Sequence, residues 1–181
     1  MSVAPAPVDT AGFRRVFGHF CTGVTVITTA DREGPAGFAC QAFAPLSLDP
    51  PLVLFCVRSE SATGERIRQA GAFAVNVLAE AQRPLSRLFG THGADRFTGV
   101  GWTPAPSGAP ILDGVLAWAD CRIEAVHPGG DHDVVIGRVT TLGDGLPARP
   151  LLFHRGRYRT TADSAGGLPH RFDWPAPDDW I

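Results

Sequence analysis

Residues 22–44 read TGVTVITTADREGPAGFACQAFA, and this stretch decides the fold class. Residues 22–29 alternate in polarity and are rich in β-branched side chains, which predicts a strand. Residues 31–34, Asp-Arg-Glu-Gly, are typical of a hairpin turn, and residues 36–44 then predict the returning strand. The body of the protein therefore opens with an antiparallel pair of strands.

Before this hairpin, the sequence predicts a loose arm and one short helix. Residues 1–8 contain two prolines, whereas Asp9 and Thr10 are good candidates for a helix N-cap. Four apolar residues then recur at helical spacing and form a single apolar stripe. They are Phe13, Val16, Phe17 and Phe20. We expect this apolar stripe to pack on the body of the protein.

After the hairpin, short strand patterns dominate, and a break at Pro50-Pro51 precedes the first of them. Strands are predicted at residues 52–57, 72–78, 115–126, 134–142 and 151–158. Helices are predicted at residues 61–70, closed by Gly71, and at residues 81–89, with a long surface excursion at residues 90–114. No strand-helix-strand alternation occurs, so the fold class is mainly β: an antiparallel, closed or nearly closed barrel with a few short peripheral helices. The 181 residues are expected to form a single domain with an irregular tail at residues 160–181.

Composition narrows the function classes. The formal net charge is −2, and charges of both signs are dispersed along the chain, which argues against nucleic acid or an anionic membrane as a partner. The apolar runs are too short to span a bilayer, and the N-terminus lacks the pattern of a secretory signal. We therefore expect a cytoplasmic protein.

Common catalytic and metal-binding motifs are missing from the sequence. Neither a glycine-rich dinucleotide motif, a Walker A loop nor a hydrolase signature occurs. The cysteines have neither zinc-ligand spacing nor a disulfide pattern, and we expect them to be small buried side chains without a metal. They are Cys21, Cys40, Cys56 and Cys121.

Three segments could carry chemistry. In the first, residues 37–43, small side chains flank a strand and would let a planar ligand approach the main chain, although they also suit a closely packed barrel strand. In the second, residues 56–63, hydroxyls, one arginine and a helix N-terminus would suit a phosphate, although Ser61 or Thr63 could simply cap the helix. In the third, Asp131 and His132 follow a glycine turn, where the histidine could contact a nicotinamide or donate a proton, or have no function.

Taken together, these segments resemble the flavin reductase family with the FMN-binding split-barrel fold. The likeness covers most of the chain through residues 20–29, 37–51, 73–78, 95–97, 130–132 and 150–158. It is particularly marked toward reductase subunits of actinobacterial monooxygenases that hydroxylate a phenolic secosteroid. The resemblance implies a homodimer that transfers a hydride from C4 of NADH or NADPH directly to N5 of FMN or FAD. It also implies that the reduced flavin is supplied to the oxygenase component of a two-component monooxygenase.

The resemblance also implies roles for particular residues. Those matching the wall along the isoalloxazine and ribityl chain are Pro35, Ala36, Gly37, Phe38, Ala39, Gln41 and Ala42. Those matching the loop on the phosphate side are Cys56, Val57, Arg58, Ser59, Glu60, Ser61 and Ala62, with Ser59 and Ser61 as hydroxyl donors. Those matching positions near the nicotinamide are His132, as the catalytic candidate, and Phe153, His154, Arg155 and Gly156.

Two departures from the family pattern stand out. Relatives usually carry serine where this chain has Ala42, which removes a hydroxyl contact worth about 0.5 to 1.5 kcal/mol if it was made. Weaker binding would suit a flavin that diffuses to a partner. His154 stands where a relative has a tyrosine-like phenol, which bears on the choice of nicotinamide.

Two other functions fit the same residues. One is a flavoprotein that holds FMN tightly and reduces another acceptor, such as ferric iron or a corrinoid. The other is a split barrel that binds flavin or haem without catalysis, which would have no use for Asp131-His132 or residues 153–156.

Overall fold

The computed structural model describes residues 8–93 and 95–161. Its helices are α1 (Thr10–Phe17), α2 (Ala62–Ala70) and α3 (Arg83–Gly90), the last preceded by a 3₁₀ turn at Glu80–Gln82. Its strands are β1 (Thr22–Gly23), β2 (Thr25–Asp31), β3 (Gly34–Cys40), β4 (Phe43–Leu48), β5 (Pro51–Arg58), β6 (Ala72–Val77), β7 (Trp102–Pro104), β8 (Pro110–Leu112), β9 (Ala117–Gly129), β10 (His132–Asp144), β11 (Leu152–His154) and β12 (Arg157–Arg159). The predicted mainly β class with a few short helices is confirmed.

One seven-stranded sheet forms the body, in the order β3-β2-β6-β9-β10-β5-β4. Each neighbouring pair in it is antiparallel. The edge strands β3 and β4 are consecutive in the chain and are joined through Gln41 and Ala42. The two edges of the sheet therefore meet at this join, where the amide of Cys56 donates to the carbonyl of Ala42 at 2.9 Å.

Aromatic contacts show how far the sheet curls. Phe38 on β3 and Phe55 on β5 lie five strands apart in the sheet order, yet their ring centroids are 6.0 Å apart. The ring of Phe55 also meets Phe73 on β6 edge to face at 5.0 Å. Side chains from both ends of the sheet thus share one interior, and the sheet is a split barrel that is open beside β3.

A second apolar cluster covers the outside of β2. Val26 and Ile27 alternate in direction, so Ile27 enters the barrel interior whereas Val26 packs with Leu78, Phe89 and Leu151. Both faces of β2 are therefore buried, and α3, β8 and the small sheet of β1, β11 and β12 form the outer layer.

The buried side-chain amide of Asn76 holds part of the long connection between α3 and β9 against the barrel. The Nδ2 atom of Asn76 donates to the carbonyl of Pro110 at 3.2 Å, and its Oδ1 accepts from the amide of Leu112 at 2.8 Å. The hydroxyl of Thr28 donates to the same carbonyl of Pro110. The predicted surface excursion thus contains a hairpin, β7-β8, that is tied to the barrel.

The predicted bounds of two strands were wrong. Residues 36–44 do not form one strand, because the chain leaves the sheet at Gln41-Ala42 and turns into β4. Residues 151–158 form a hairpin rather than one strand, with the turn at Arg155-Gly156, where both residues have positive φ. By contrast, α2 ends as predicted, at Gly71 with φ of 68°.

The apolar stripe of α1 is exposed, contrary to the prediction that it packs on the body. Phe13, Val16, Phe17 and Phe20 are 53%, 57%, 60% and 75% exposed. Helical spacing predicts that one face is apolar, but it does not specify the surface that covers that face.

Two predictions concern the ends of the chain. Most of the predicted arm, residues 1–8, and nearly all of the predicted tail, residues 160–181, lie outside the described residues. Among the residues that are described, no helix has the length and apolar character needed to cross a bilayer.

Candidate functional site

A cleft of about 1370 Å³ lies along β3, at the opening of the barrel. Its other walls are the end of β5, the start of α2, the end of α3 and the segment that follows α3. Fourteen of the predicted site residues line it: Pro35, Ala36, Gly37, Phe38, Ala39, Gln41, Ala42, Cys56, Val57, Arg58, Glu60, Ser61, Ala62 and His132. Segments that are distant in the sequence are therefore brought together in one cavity.

Gly37, which has no side chain, allows α3 to pack closely against β3. A Cβ added there would lie 2.9 Å from the carbonyl oxygen of Ile27 and 3.0 Å from the ring of Phe89. Both distances are tighter than ordinary van der Waals contact, so α3 can pack this close to β3 only with glycine at position 37.

The N-terminus of α2 opens on the cleft. The Oγ atom of Ser61 accepts from the amide of Gly64 at 3.1 Å, as an N-cap does, while Ala62 and Thr63 line the cavity. The first amides of a helix lack partners within the helix and carry its partial positive charge. The helix cap at Ser61 is therefore confirmed, and because the start of the helix also lines the cleft, the phosphate site stays a prediction for the same segment.

Arg96 adds a full positive charge beside this helix end. Its Nη1 atom donates to the carbonyl of Gly37 at 2.7 Å and lies 3.4 Å from the hydroxyl of Thr63. Its Nε and Nη2 atoms donate to the carbonyl of Thr91 at 3.2 and 2.8 Å. Within the described residues Arg96 forms no ion pair, and burial lowers the pKa of its guanidinium. An anionic ligand would supply the missing countercharge.

His132 lies on the cleft wall at the start of β10, directly opposite Arg58 on β5. Its Nδ1 atom is 2.7 Å from Oδ1 of Asp131, and the hydrogen bond with His132 holds the pKa of Asp131 below its ordinary value. When Nδ1 carries the proton of this hydrogen bond, the Nε2 atom of His132 is available to a ligand.

The thiols on the cleft wall are poor nucleophiles. Burial raises the pKa of Cys40 to about 12 and also raises the pKa of the half-buried Cys56. Both are neutral thiols at physiological pH, which argues against thiolate chemistry at this site.

Five predicted site residues are not among those that line the cleft. The hydroxyl of Ser59 instead donates to Oδ1 of Asp133 at 3.0 Å. Phe153, His154, Arg155 and Gly156 form the β11-β12 hairpin, which borders α1: the amide of Arg155 donates to the carbonyl of Gly18 at 2.8 Å. Within one chain, the hairpin and the cleft are separate features.

Sequence reasoning missed one whole side of the cleft. Apart from the predicted site residues, the lining residues outside the three candidate segments are Glu33, Arg66, Phe89, Gly90, His92, Gly93, Asp95, Arg96, Phe97 and Thr98. Most of them lie at the end of α3 or in the first part of residues 90–114. Long connections rich in glycine often carry function, which was the available signal, but no local pattern shows that Arg96 folds back onto Gly37.

Comparisons with known proteins identify similar sequences and similar structures. A family model described as a flavin reductase-like domain matches residues 17–162. The reductase subunit HsaB of a flavin-dependent monooxygenase from Rhodococcus jostii is 53% identical over 157 residues, which are 87% of this chain and 80% of that protein. The structure of an NADH:FAD oxidoreductase from Streptomyces globisporus, in complex with NAD and FAD fragments, has a TM-score of 0.84 and 37% identity, covering 91% of this chain and 100% of that one. A nitrilotriacetate monooxygenase component B homologue from Mycobacterium thermoresistibile has a TM-score of 0.82 and 48% identity, covering 90% and 93%.

Proposed function

The chain belongs to the flavin reductase-like domain family, and from that premise we propose that it uses NADH to reduce FMN or FAD for the oxygenase component of a monooxygenase. The observation that carries this proposal is the pairing of two features in one cleft. One is the guanidinium of Arg96 beside the start of α2, and the other is His132 supported by Asp131. A phosphorylated flavin needs the first feature, and a nicotinamide partner can use the second.

The phosphate group of the flavin is proposed to lie at the start of α2. The amides of Ala62 and Thr63 and the guanidinium of Arg96 are the donors available there. Arg96 is already held by the carbonyls of Gly37 and Thr91, so little side-chain freedom is lost when an anion binds.

The ring system is proposed to lie along β3, where Gly37 and its neighbours leave main-chain groups within reach. Gln41 and Ala42 continue this wall to the join between β3 and β4. Because Ala42 has no hydroxyl, the flavin edge there meets main-chain groups only. This favours a flavin that is carried in and released over one that is held permanently.

When bound, the flavin offers N5 as the acceptor of a hydride from C4 of NADH, which leaves as NAD⁺. The protein then needs mainly to align the two rings and exclude water. We assign this positioning to the β3 wall and to His132, whose imidazole can orient the nicotinamide or supply a proton. NADH is favoured over NADPH because the Streptomyces globisporus relative is an NADH:FAD oxidoreductase.

The exposed apolar stripe of α1 supports a homodimer. Four large apolar side chains on one short helix are costly to leave in water, and a second copy of the chain would cover them. The β11-β12 hairpin borders the same helix, so an interface on α1 would bring Phe153 to Gly156 close to the second copy. On this basis we propose that residues 153–156 contact the nicotinamide across the dimer rather than within one chain.

Stopped-flow absorbance tests the proposed function. Purified protein should oxidise NADH rapidly in the presence of FMN or FAD, and the reduced flavin should appear free in solution after rapid filtration. Riboflavin and NADPH serve as comparison substrates. Protein that binds no flavin, or that binds flavin without oxidising either nicotinamide, would refute the proposal.

A further inference from the structure

The carboxylate of Asp133 bridges two segments that meet behind the cleft wall. Its Oδ1 atom accepts from the hydroxyl of Ser59 at 3.0 Å, and its Oδ2 atom accepts from Nη1 of Arg68 at 2.8 Å. Ser59 lies between β5 and α2, and Arg68 lies in the last turn of α2. One side chain on β10 therefore holds both the connection into α2 and the helix itself.

Other contacts bind the same connection. The amide of Ser59 donates to the carbonyl of Asp131 at 3.1 Å, and the Nη2 atom of Arg68 reaches the carbonyl of Ser59 at 3.4 Å. The amide of Ser61 donates to the carbonyl of Arg58 at 2.9 Å. The backbone at residues 58–61 is thus held from β10 on one side and from α2 on the other.

Asp133 connects the two ends of the cleft, which are His132 and the start of α2. It follows His132 directly, and its partner Ser59 lies two residues before the helix cap Ser61. A shift of the Ser59 backbone would move Ser61 and the amides that follow it, which lie at the proposed phosphate site.

Building on the proposed function, we infer that Asp133 is a positioning residue that sets the phosphate-binding end of the flavin site through Ser59 and Arg68. The side chains of Asp133 and Arg68 are 19% and 22% exposed, so this pair is less screened by water than the Arg138–Glu124 pair, in which both are 42% exposed. Arg68 also pairs with Glu65 at 3.0 Å. Loss of Asp133 therefore leaves Arg68 with its ion pair to Glu65 within the helix, while α2 also keeps the ion pairs of Arg66 with Asp31 and Glu33.

Flavins with and without a phosphate test this inference. We expect Asp133→Ala to weaken FMN binding roughly tenfold, the scale of one charge-assisted hydrogen bond, while riboflavin binding stays within about twofold. Dissociation constants would be measured from flavin fluorescence, with Glu124→Ala as a control that breaks a more exposed ion pair. Unchanged FMN binding, or an equal loss for riboflavin, would overturn the inference.

Two further variants separate positioning from general destabilisation. Ser59→Ala removes one contact of Asp133, and Arg68→Ala removes the other, so each should weaken FMN binding in the same direction. The combined Asp133→Ala and Arg68→Ala variant should lose less than the product of the two single effects, because both residues act through one contact. Fully multiplicative effects would overturn the inference.

Failure of the proposed function gives a different result. If wild-type protein binds FMN more tightly than riboflavin but does not oxidise NADH, the reductase activity is refuted and the role of Asp133 in flavin binding still stands. If wild-type protein oxidises NADH and Asp133→Ala binds FMN as wild type does, the reductase activity stands and the role of Asp133 is refuted.

Discussion

The Nη1 atom of Arg96 lies 2.7 Å from the carbonyl oxygen of Gly37. This hydrogen bond joins the segment after α3 to the β3 wall, 59 positions away in the sequence. The glycine allows α3 to approach, and the arginine then closes that side of the cleft with a positive charge. Two residues far apart in the sequence together form one side of the proposed flavin site.

Replacing Arg96 with glutamine should weaken the binding of phosphorylated flavins. The change removes the positive charge and leaves an amide nitrogen near the position of Nε, the atom that donates to the carbonyl of Thr91. We expect KM for FMN to rise about 10- to 100-fold, with kcat at saturating FMN within about threefold. Steady-state NADH oxidation measures both constants. Arg138→Gln, which removes an exposed arginine from a surface ion pair, is the control, and an equal effect of the two changes would contradict the assignment.

Alanine at position 37 should distort the cleft. The added methyl group meets the carbonyl of Ile27 and the ring of Phe89, so β3 and α3 must separate. Overpacking of this kind costs about 1 to 3 kcal/mol, which denaturant unfolding would detect. We also expect weaker flavin binding. Gly23→Ala is the matched control, since no atom lies within 4 Å of a Cβ placed there; Gly37→Ala with wild-type stability would contradict the packing argument.

His132 should affect turnover more than flavin affinity. His132→Gln keeps a polar side chain but cannot supply a proton, so we expect kcat to fall about 3- to 30-fold, less than for an essential general acid. The dissociation constant for FMN should stay unchanged. A loss confined to flavin affinity would remove His132 from the nicotinamide end of the cleft.

The pKa of the Asp131 carboxyl group tests the hydrogen bond between Asp131 and His132. Its pKa is lowered by the hydrogen bond with His132, so His132→Gln should raise that pKa toward its ordinary value. The stabilising contribution of this contact is present above the ordinary pKa of aspartate and is lost as pH falls through the lowered value. NMR titration of the Asp131 side chain would measure the change, and an identical titration in both proteins would exclude the contact.

The four cysteines should differ strongly in reactivity. With a pKa of about 12, Cys40 and Cys121 have roughly one thiolate in ten thousand molecules at pH 8, and both are buried. Cys21 is exposed, contrary to the prediction that all four cysteines are buried, and should be alkylated first. The half-buried Cys56 should react slowly and be protected by FMN. Mass spectrometry after timed iodoacetamide treatment gives the order. Rapid modification of Cys40 in folded protein would contradict the structure.

A charge on α1 should disrupt the proposed dimer. Phe17 lies in the middle of the apolar stripe, so Phe17→Glu would bury a carboxylate if a second copy covered it. Sedimentation velocity should show a dimer for wild type and a monomer for the variant. Leu142→Glu changes a side chain that is 70% exposed outside α1 and should remain dimeric. A monomeric wild type would refute the dimer itself.

The sequence predicted the fold class well because the strand signals are local. Alternating β-branched residues in β2 and the turn at residues 31–34 suffice to predict one hairpin, and Gly71 marks the end of α2. The join at Gln41-Ala42 was missed because small residues continue across it without a turn signal. The chain leaves the sheet at this point because the sheet curls. The curling depends on contacts between distant residues, such as that between Phe38 and Phe55.

The candidate site was predicted on one side only. Ser61 could be recognised as a helix cap from residues near it, and His132 from the glycine turn before it. Arg96 could not, because its role depends on the tertiary packing of α3 against Gly37. For the same reason, the pattern of α1 showed an apolar face but not the surface that covers it.

The buried amide of Asn76 has a consequence for protein engineering. By bonding Pro110 and Leu112, it makes the β7-β8 hairpin part of the folding unit, so we expect substitutions there to change stability rather than the cleft. Residues 92, 93 and 95–98 border the cleft and lie outside that bonded hairpin. This short rim, apart from Arg96, is therefore the part of the connection that can be redesigned for a different flavin without loosening the barrel.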